Sequence, residues 1–327
     1  MRIVTNILRG CNRCFKSLLL TLCVFLFSLK LSAQEDPLFT QYLNNLATIN
    51  PAYVGAQDAM NIKLLTRMQW TGFEGAPMSM TTAFTMPYMN NQMGFGGRIV
   101  YDRYGPITQT GFYVDYAYHL FLDYRRGRFL SFGISGGFNL FSANIEGIGE
   151  SKDDPVFMSD QTNKILPNFG LGIMYRDPKF LIGISVPKLI QSRVTLEEIT
   201  TTSISKDMMH IYFLGAYKFR MDRDMVMKLA TMVQYIKNTS TGVDLHVMVT
   251  YRDNFTAGLM YTSRNTYGMS MQFNMTDQLR LGYAYDMTSL KDVTTLPSTH
   301  EIMVSYDIPS GRRSRYRRRR HRADYFF

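Results

Sequence analysis

The chain has 327 residues, of which 46% are hydrophobic and 13% aromatic, with a formal net charge of +10 and three cysteines. Cys11, Cys14 and Cys23 all lie within the first 33 residues. The rest of the chain therefore has no thiol for a disulfide, a thiolate metal site or cysteine catalysis. The positive charge is also terminal, because residues 1–33 carry five basic side chains and the tail after Ser310 carries eight arginines against Asp324. Subtracting both from +10 leaves about −2 for the body.

Residues 1–33 have the pattern of a secretory signal peptide. Four basic residues precede a largely apolar run from Ser17 to Leu29, and the small residue Ala33 stands at the expected cleavage position. The apolar run is shorter than the roughly 20 residues that a spanning helix needs. We therefore expect an exported chain, with an uncleaved N-terminal anchor as the alternative.

The body of the chain shows period-two alternation, which is typical of strands with two different faces. In residues 242–252, for example, Val243, Leu245 and Val247 alternate with Asp244 and His246. No run of 18 or more apolar residues follows the signal, so the sequence predicts no membrane-spanning helix. The alternation predicts about fourteen strands, near residues 59–69, 78–87, 93–102, 107–121, 128–141, 167–176, 179–187, 209–219, 225–236, 242–251, 254–264, 266–275, 278–287 and 299–308.

An even number of alternating segments, each of about ten residues, favours an all-β fold: an outer-membrane β-barrel with about 14 antiparallel strands. A soluble β-sandwich is the alternative fold. The lengths of the connections distinguish the two, because an outer-membrane barrel has long loops at one end and short turns at the other. The long gaps 142–166, 188–208 and 288–298 are the fifth, seventh and thirteenth connections, all odd, and the even connections are short. The sequence therefore predicts the barrel.

The sequence contains few residue patterns that are typical of catalytic or metal-binding sites. Gly133-Ile134-Ser135-Gly136-Gly137 matches the nucleophile-elbow pattern G-x-S-x-G, but the residues that follow continue as a strand and not as a helix. A barrel hydrolase using Ser135 is therefore a remote alternative. The five histidines have no metal-ligand spacing, and three aspartates between residues 153 and 160 are more typical of a solvated loop than of a calcium site. We predict no catalytic residue, no cofactor and no metal.

Two segments flank the predicted barrel of residues 59–308. Residues 34–58 are too apolar for a disordered linker, so we expect a short plug inside the lumen, with a turn at Asn50-Pro51 and a positive φ at Gly55. Residues 309–327 form an arginine-rich tail. In a barrel with an even number of strands, the chain begins and ends on the same side of the membrane. With a periplasmic N-terminus the tail also lies in the periplasm, so we expect no nucleic acid as its partner. The candidate partners of the tail are carboxylates of peptidoglycan, inner-leaflet lipid headgroups and an acidic protein. A solvated tail with no partner is the alternative.

A set of short motifs occurs along residues 34–308. Its most specific parts are the N-P-A-Y-x-G motif beginning at Asn50 and the R-x-Q-W motif beginning at Arg67. The other residues of the set are Asp36-Pro37, Gln41-Tyr42, Asn45, Gly75-Ala76-Pro77, Asp102, Gly105-Pro106, Tyr116 to His119, Pro167 to Gly172 and Gly282 to Asp286. In these motifs the chain resembles the PorP/SprF family of outer-membrane proteins of the type IX secretion system and gliding machinery of Bacteroidetes, and the resemblance covers essentially all of residues 34–308.

The resemblance implies an integral outer-membrane barrel that is not an enzyme. It also implies partners: outer-membrane lipid, a secreted adhesin or other type IX substrate, and periplasmic secretion-machinery or peptidoglycan-linked proteins. We interpret the chain as a barrel that anchors secreted surface proteins or links the outer membrane to that machinery, with a porin-like channel for small solutes as the alternative. No binding residues carry over from the family. The candidate partner-binding residues, chosen by position, are Asn50, Pro51, Tyr53, Gly55, Arg67, Trp70, Gly75, Pro77, Asp102, Arg312, Arg313, Arg317, Arg318, Arg319 and Arg320.

Overall fold

A computed structural model describes residues 39–73, 75–143, 161–189, 191–192, 202–203, 209–236, 241–288 and 298–308. The signal peptide and the arginine-rich tail predicted from the sequence both lie outside these residues. Within the described parts of the chain, no helix is long and apolar enough to cross a membrane.

Fourteen antiparallel strands form a closed barrel, as the alternation predicts. Each strand pairs with its neighbour in the chain, except that β7 pairs with β10, and β1 pairs with β16 to close the ring. A separate two-residue pair, β8 and β9, lies in the connection between β7 and β10. The strands are β1 (Met60–Met68), β2 (Met78–Tyr88), β3 (Met93–Tyr104), β4 (Ile107–Asp123), β5 (Arg128–Ala143), β6 (Gln161–Arg176), β7 (Phe180–Val186), β8 (Gln191–Ser192), β9 (Thr202–Ser203), β10 (His210–Arg220), β11 (Met225–Ile236), β12 (Gly242–Tyr251), β13 (Phe255–Thr262), β14 (Thr266–Asn274), β15 (Leu279–Thr288) and β16 (Ser298–Ile308).

The two faces of the barrel are inverted relative to a soluble protein. Outward-facing apolar side chains are exposed, as at Val114 (70%) and Leu259 (67%), whereas inward-facing polar side chains such as Asp115 and Glu301 are buried. This is the arrangement expected when the outer surface contacts lipid and a closed sheet leaves no backbone edge unpaired. In β12 the alternation predicted from the sequence is confirmed, with Asp244 and His246 inward and Leu245 outward.

The connections divide the barrel into two different rims. The short-turn rim carries residues 89–92, 124–127, 177–179, 221–224, 252–254 and 275–278, each of three or four residues. It also holds the start of β1 and the end of β16. The opposite, long-loop rim carries the connections 144–160, 187–209 and 289–297. The predicted segregation of long and short connections is therefore confirmed.

The structure differs from the prediction mainly in strand length. Strand β6 begins at Gln161, six residues before the predicted start at residue 167, and β5 continues to Ala143. A strand beginning at Pro167 is attractive from sequence because proline cannot donate to the ladder. In the closed barrel the pairing nevertheless continues past Pro167, which lies opposite Phe138, and reaches Ala143 and Gln161 after an irregularity in register.

The residues that precede β1 form two short 3-10 helices, η1 (Tyr42–Thr48) and η2 (Pro51–Tyr53). Almost every residue from Thr40 to Gln57 is buried. We call residues 39–59 the N-terminal segment. It contacts strands on opposite sides of the ring, with Tyr42 packed edge-on against His246 of β12 and Val54 bonded to His119 of β4.

Candidate functional site in the lumen and at the two rims

Basic side chains from four strands bind backbone carbonyls of the N-terminal segment. Arg98 of β3 donates from Nη1 to Ala47 O at 2.7 Å, and His119 Nε2 of β4 donates to Val54 O at 3.0 Å. Arg176 of β6 donates to Ala56 O at 2.5 Å, and Lys63 of β1 donates to Asn44 O. Short 3-10 helices leave many carbonyls without backbone partners, and an unpaired buried carbonyl is costly. The barrel wall therefore supplies the hydrogen bonds that the segment cannot make itself.

Arg98 is held in place by a cluster of its own. Its Nη2 donates to Ser135 Oγ at 2.9 Å and lies 3.6 Å from Asp115 Oδ1, and its guanidinium lies 4.6 Å from the centre of the Tyr113 ring. Ser135 is buried in the middle of β5, with no strand-to-helix turn to present its hydroxyl. The geometry gives this serine a role as a hydrogen-bond acceptor for Arg98.

A buried ion-pair cluster fixes the beginning of the segment. Arg67 of β1 donates from Nη1 to Asp286 Oδ2 of β15 at 2.8 Å and also to Glu301 of β16. Glu301 accepts from two backbone amides of the segment, Thr40 N at 2.6 Å and Gln41 N at 3.0 Å. Hydrogen bonds to ionised groups are stronger than those between neutral groups. The cluster therefore joins the two strands that close the barrel to the residues just ahead of η1.

Glycines in the strands allow the segment to approach the wall at backbone distance. A Cβ on Gly94 of β3 would lie 1.9 Å from Val54 O, and one on Gly133 of β5 would lie 2.1 Å from Ala52 N, both of them backbone atoms. A Cβ on Gly172 of β6 would lie 2.0 Å from Oδ1 of the Asn50 side chain. No side chain fits at such distances. Glycine inside a strand often marks a close approach of another backbone, and here that backbone is the N-terminal segment.

The candidate residues Asn50, Pro51, Tyr53 and Gly55 lie together at the centre of the segment. Asn50 caps η2 by accepting from Ala52 N at 2.9 Å, and it donates to Ile173 O at 3.2 Å. Pro51 is the first residue of η2, where its missing N–H costs nothing. The φ of Gly55 is 71°, as its predicted role in the turn requires. These residues and Arg67 are buried against the barrel wall.

Two tyrosines of the segment are buried as neutral phenols. Burial raises the pKa of Tyr42 well above its ordinary value, and the nearby negative charge of Asp244 raises it further. Burial also raises the pKa of Tyr53, although the positive charge of Arg176 opposes the shift. The Tyr53 hydroxyl accepts from Gln57 Nε2 at 3.2 Å. Both tyrosine rings therefore pack as uncharged groups between the N-terminal segment and the barrel wall.

The remaining described candidates lie at or near the long-loop rim. Trp70 has a φ of 53° and is 39% exposed, and Thr71 N donates to Ser298 O at 3.0 Å, which ties this loop to β16. Gly75 accepts from Gly105 N at 3.2 Å, and Pro77 accepts from Gln69 N at 2.9 Å. Asp102 lines a cavity of about 120 Å³ between the segment and this rim. The tail candidates Arg312, Arg313, Arg317, Arg318, Arg319 and Arg320 lie outside the described residues.

The sequence reasoning missed the residues that make most of the contacts in the lumen. Glu301, Asp286 and Arg98 are separated from the segment residues that they contact by 51 to 261 positions in the chain, and alternation identifies them only as inward-facing. The interior strand glycines carried a signal that could have been used, because glycine weakens a strand unless something approaches it closely.

A further group of basic residues lies near the short-turn rim, where it borders a cavity of about 410 Å³.

The comparisons with known proteins agree with this architecture. Residues 31–306 match the family model described as type IX secretion system membrane protein PorP/SprF. The chain belongs to this family. A PorP/SprF protein built as a closed 14-strand barrel with an apolar outer face is an integral protein of the outer membrane. A search of curated proteins finds no match to the sequence.

Solved outer-membrane barrels resemble this PorP/SprF protein in fold. The CymD monoaromatic hydrocarbon channel has a TM-score of 0.51 at 11% identity and covers 81% of this chain and 93% of that chain. Omp33 of Acinetobacter baumannii has a TM-score of 0.48 at 10% identity and covers 78% of this chain and 100% of that chain. A FadL homologue of Pseudomonas aeruginosa has a TM-score of 0.44 at 12% identity, covering 80% and 93% respectively. At these identities the likeness concerns the fold, and CymD is the one of the three whose TM-score exceeds 0.5.

No group of three or more histidine, cysteine, aspartate or glutamate side chains that could hold a metal ion occurs among the described residues. The Arg67 cluster and the bonds from Arg98 instead pair charged side chains of the lumen with one another and with the N-terminal segment. The arrangement can therefore hold a polypeptide segment rigidly inside the ring.

Proposed function

We propose that this PorP/SprF protein is a non-enzymatic scaffold of the type IX secretion system, anchoring secreted surface proteins or linking the outer membrane to the periplasmic machinery. The observation that carries the proposal is the N-terminal segment, which contacts strands around the ring through buried hydrogen bonds and at backbone distance from strand glycines. A barrel that holds a segment across its lumen in this way is suited to act through its two rims. Secretion-machinery proteins and type IX substrates are the partners that the family supports.

Each rim has a distinct role in this proposal. In single-chain outer-membrane barrels the short turns face the periplasm and the long loops face the cell exterior. The long-loop rim, with Trp70, Gly75, Pro77 and Asp102, is then the surface for a secreted protein. The short-turn rim, from which residues 309–327 follow β16, is the surface for periplasmic secretion-machinery or peptidoglycan-linked proteins. Five of the candidate residues hold the N-terminal segment against the barrel wall and do not bind a partner directly: Asn50, Pro51, Tyr53, Gly55 and Arg67.

Photo-crosslinking in cells tests the assignment of the two rims. A photoreactive amino acid is placed at Phe73 on the long-loop rim, at Arg125 on the short-turn rim or, as the control, at Ile134 on the lipid-facing side of β5. We expect Phe73 to capture a type IX-secreted surface protein and Arg125 to capture a periplasmic protein, whereas Ile134 captures neither. Identical products from all three positions, or none from either rim, would contradict the scaffold.

A small-solute channel is the second candidate function. It is favoured by the width of the ring, because fourteen strands about 4.8 Å apart and tilted by about 40° give a diameter of about 28 Å. CymD, which shares the fold, is itself named as a channel. Planar-bilayer conductance separates the two functions. The scaffold predicts no conductance from the full chain, and stepwise conductance that appears only after residues 34–58 are removed would show that the segment plugs a pore-sized lumen.

A further inference from the structure

A cleft opens near the short-turn rim, separate from the lumen contacts of the N-terminal segment. It has a volume of about 410 Å³, and no residue of the segment lines it. Its basic lining residues are Lys179, Lys218, Arg220, Lys228 and Arg280, and among the described residues that line it Asp253 is the sole acidic side chain. Arg280 also has Asp307 at 3.9 Å and donates to Asn274 at 3.0 Å. Counting Asp307 with Asp253, the site has an excess of about three positive charges.

The strand register concentrates this charge in one place. Lys218 of β10 and Lys228 of β11 are paired directly opposite each other in the ladder. Both are inward-facing and half-buried, since their outward neighbours Tyr217 and Leu229 are the exposed ones. Like charges directly opposite on one face of an antiparallel pair are destabilising. The ladder therefore places two positive charges side by side on the inner face, where a bound anion would interact with both.

Two acids of the short-turn rim differ in their relation to the cleft. Asp224 in the turn between β10 and β11 lies 3.3 Å from Arg252, a basic residue that is not part of the lining. Asp253 lines the cleft and its negative charge acts on Lys228, whereas the positive charges of Lys218 and Arg280 repel Lys228. The charge of the cleft is therefore suited to a ligand with more than one negative group.

The position of the cleft selects the kind of ligand. Lys218, Lys228 and Arg280 lie on the inward faces of their strands, so the headgroups of the surrounding lipid, which lie outside the ring, do not reach them. Lys228 is three residues inside β11, a depth of about 10 Å at about 3.3 Å per residue. Amide and hydroxyl side chains such as Gln272 and Thr256 also line the cleft and suit peptide N–H and C=O groups. The volume is within the range of small-ligand sites.

We propose that this cleft binds a short acidic peptide segment of a partner protein, entering from the short-turn rim. Lys218, Lys228 and Arg280 bind its carboxylates, while Lys179 and Arg220, which are exposed at the mouth, attract it. The proposal rests on the role given above to the short-turn rim as the contact surface for periplasmic proteins. The peptide site is tested with purified protein, whereas the rim assignment is tested by crosslinking in cells. One of the two proposals can therefore be contradicted while the other is supported.

The test is fluorescence anisotropy with the full chain in a zwitterionic detergent and a fluorescein-labelled peptide, GDEDEG, against its amide counterpart, GNQNQG. We expect the acidic peptide to bind and the amide peptide not to bind at the same concentrations. Lys228→Gln and Arg280→Gln each weaken binding by at least about tenfold, as expected for a charge-assisted contact. Arg125→Gln, which removes the same charge from an exposed turn of the same rim, leaves Kd unchanged. Equal effects of all three substitutions would overturn the proposal.

Two controls separate the cleft from the arginine-rich tail and from a general anion site. Replacing the eight tail arginines with glutamine in the full chain is expected to leave binding in place, and its loss would show that the tail is the site. Inorganic phosphate at the same charge concentration is expected to compete poorly, and full displacement would reduce the cleft to a general anion site.

The thermal stability of Lys228→Gln shows whether the lysine is needed for folding. The substitution removes a repulsive pair, so the temperature at which the folded barrel loses its gel-mobility shift is expected to stay the same or rise. A large fall would mean that the lysine is structural, and Lys218→Gln then repeats the binding test.

Discussion

Gly133→Ala is expected to loosen the N-terminal segment from the wall of the barrel. A Cβ at this position would lie 2.1 Å from Ala52 N and 2.3 Å from Pro51 C. Both neighbours are backbone atoms, so no side chain can rotate away and the segment itself must shift. Overpacking costs about 1–3 kcal/mol, and the upper end is appropriate here. A change of about 3 kcal/mol raises the population with a released segment about a hundredfold.

The matched control lies on the same strand. A Cβ at Gly136 would lie 3.8 Å from the nearest atom, Cε1 of Phe169, which is an ordinary van der Waals contact. Gly136→Ala makes the same chemical change without a clash, and its expected effect is within about 0.5 kcal/mol. The difference between the two variants therefore isolates the contact with the segment.

Cysteine labelling measures the release. With the three natural cysteines, Cys11, Cys14 and Cys23, replaced by serine, Ala47→Cys introduces a single thiol at a buried position of the segment. The rate of reaction with a bulky maleimide reports the open population when opening and closing are fast. We expect Gly133→Ala to label about a hundredfold faster than the parent and Gly136→Ala to label at the parent rate. Equal rates in the two glycine variants would refute the idea that strand glycines hold the segment.

Three other predictions concern stability, measured as the temperature at which the folded barrel loses its gel-mobility shift. Arg67→Ala leaves two buried carboxylates without their cation and should lower the stability of the barrel by about 3–5 kcal/mol. Arg67→Lys keeps the charge and should lower it less. An unchanged temperature for Arg67→Ala would show that the cluster does not stabilise the barrel. Gly55→Ala should cost more than Gly127→Ala, because both glycines have positive φ but only Gly55 would clash with the barrel wall. A chain ending at Ser310 should keep the same mobility shift, since the pairing that closes the barrel ends at Ile308.

The strand pattern could be predicted from sequence because the barrel has two chemically different faces. Each inward residue meets polar groups and each outward residue meets lipid, so the period of two appears directly in stretches such as residues 242–251. The parity of connection lengths follows from the antiparallel up-and-down order. The ends of strands were less predictable, as β6 shows, because pairing beyond Pro167 depends on whether β5 continues opposite it.

The contacts of the lumen could not be predicted in the same way. Thr40 binds Glu301, 261 residues away, and this contact exists only because the last strand closes on the first. Alternation shows that Arg67, Asp286 and Glu301 face inward, but it does not say which strands lie opposite. The paired lysines of the cleft depend on the register of β10 and β11, which a shift of one residue would destroy.

In either role, as an anchor or as a link to the periplasmic machinery, the proposed function makes the surface display of type IX-secreted proteins depend on this PorP/SprF barrel. The most direct measurement compares surface proteins of the source cell with those of a strain that lacks the gene, using protease shaving and mass spectrometry. We predict that at least one type IX-secreted protein disappears from the surface and returns when the full chain is restored. An unchanged set of surface proteins in the deletion strain would contradict the proposed function.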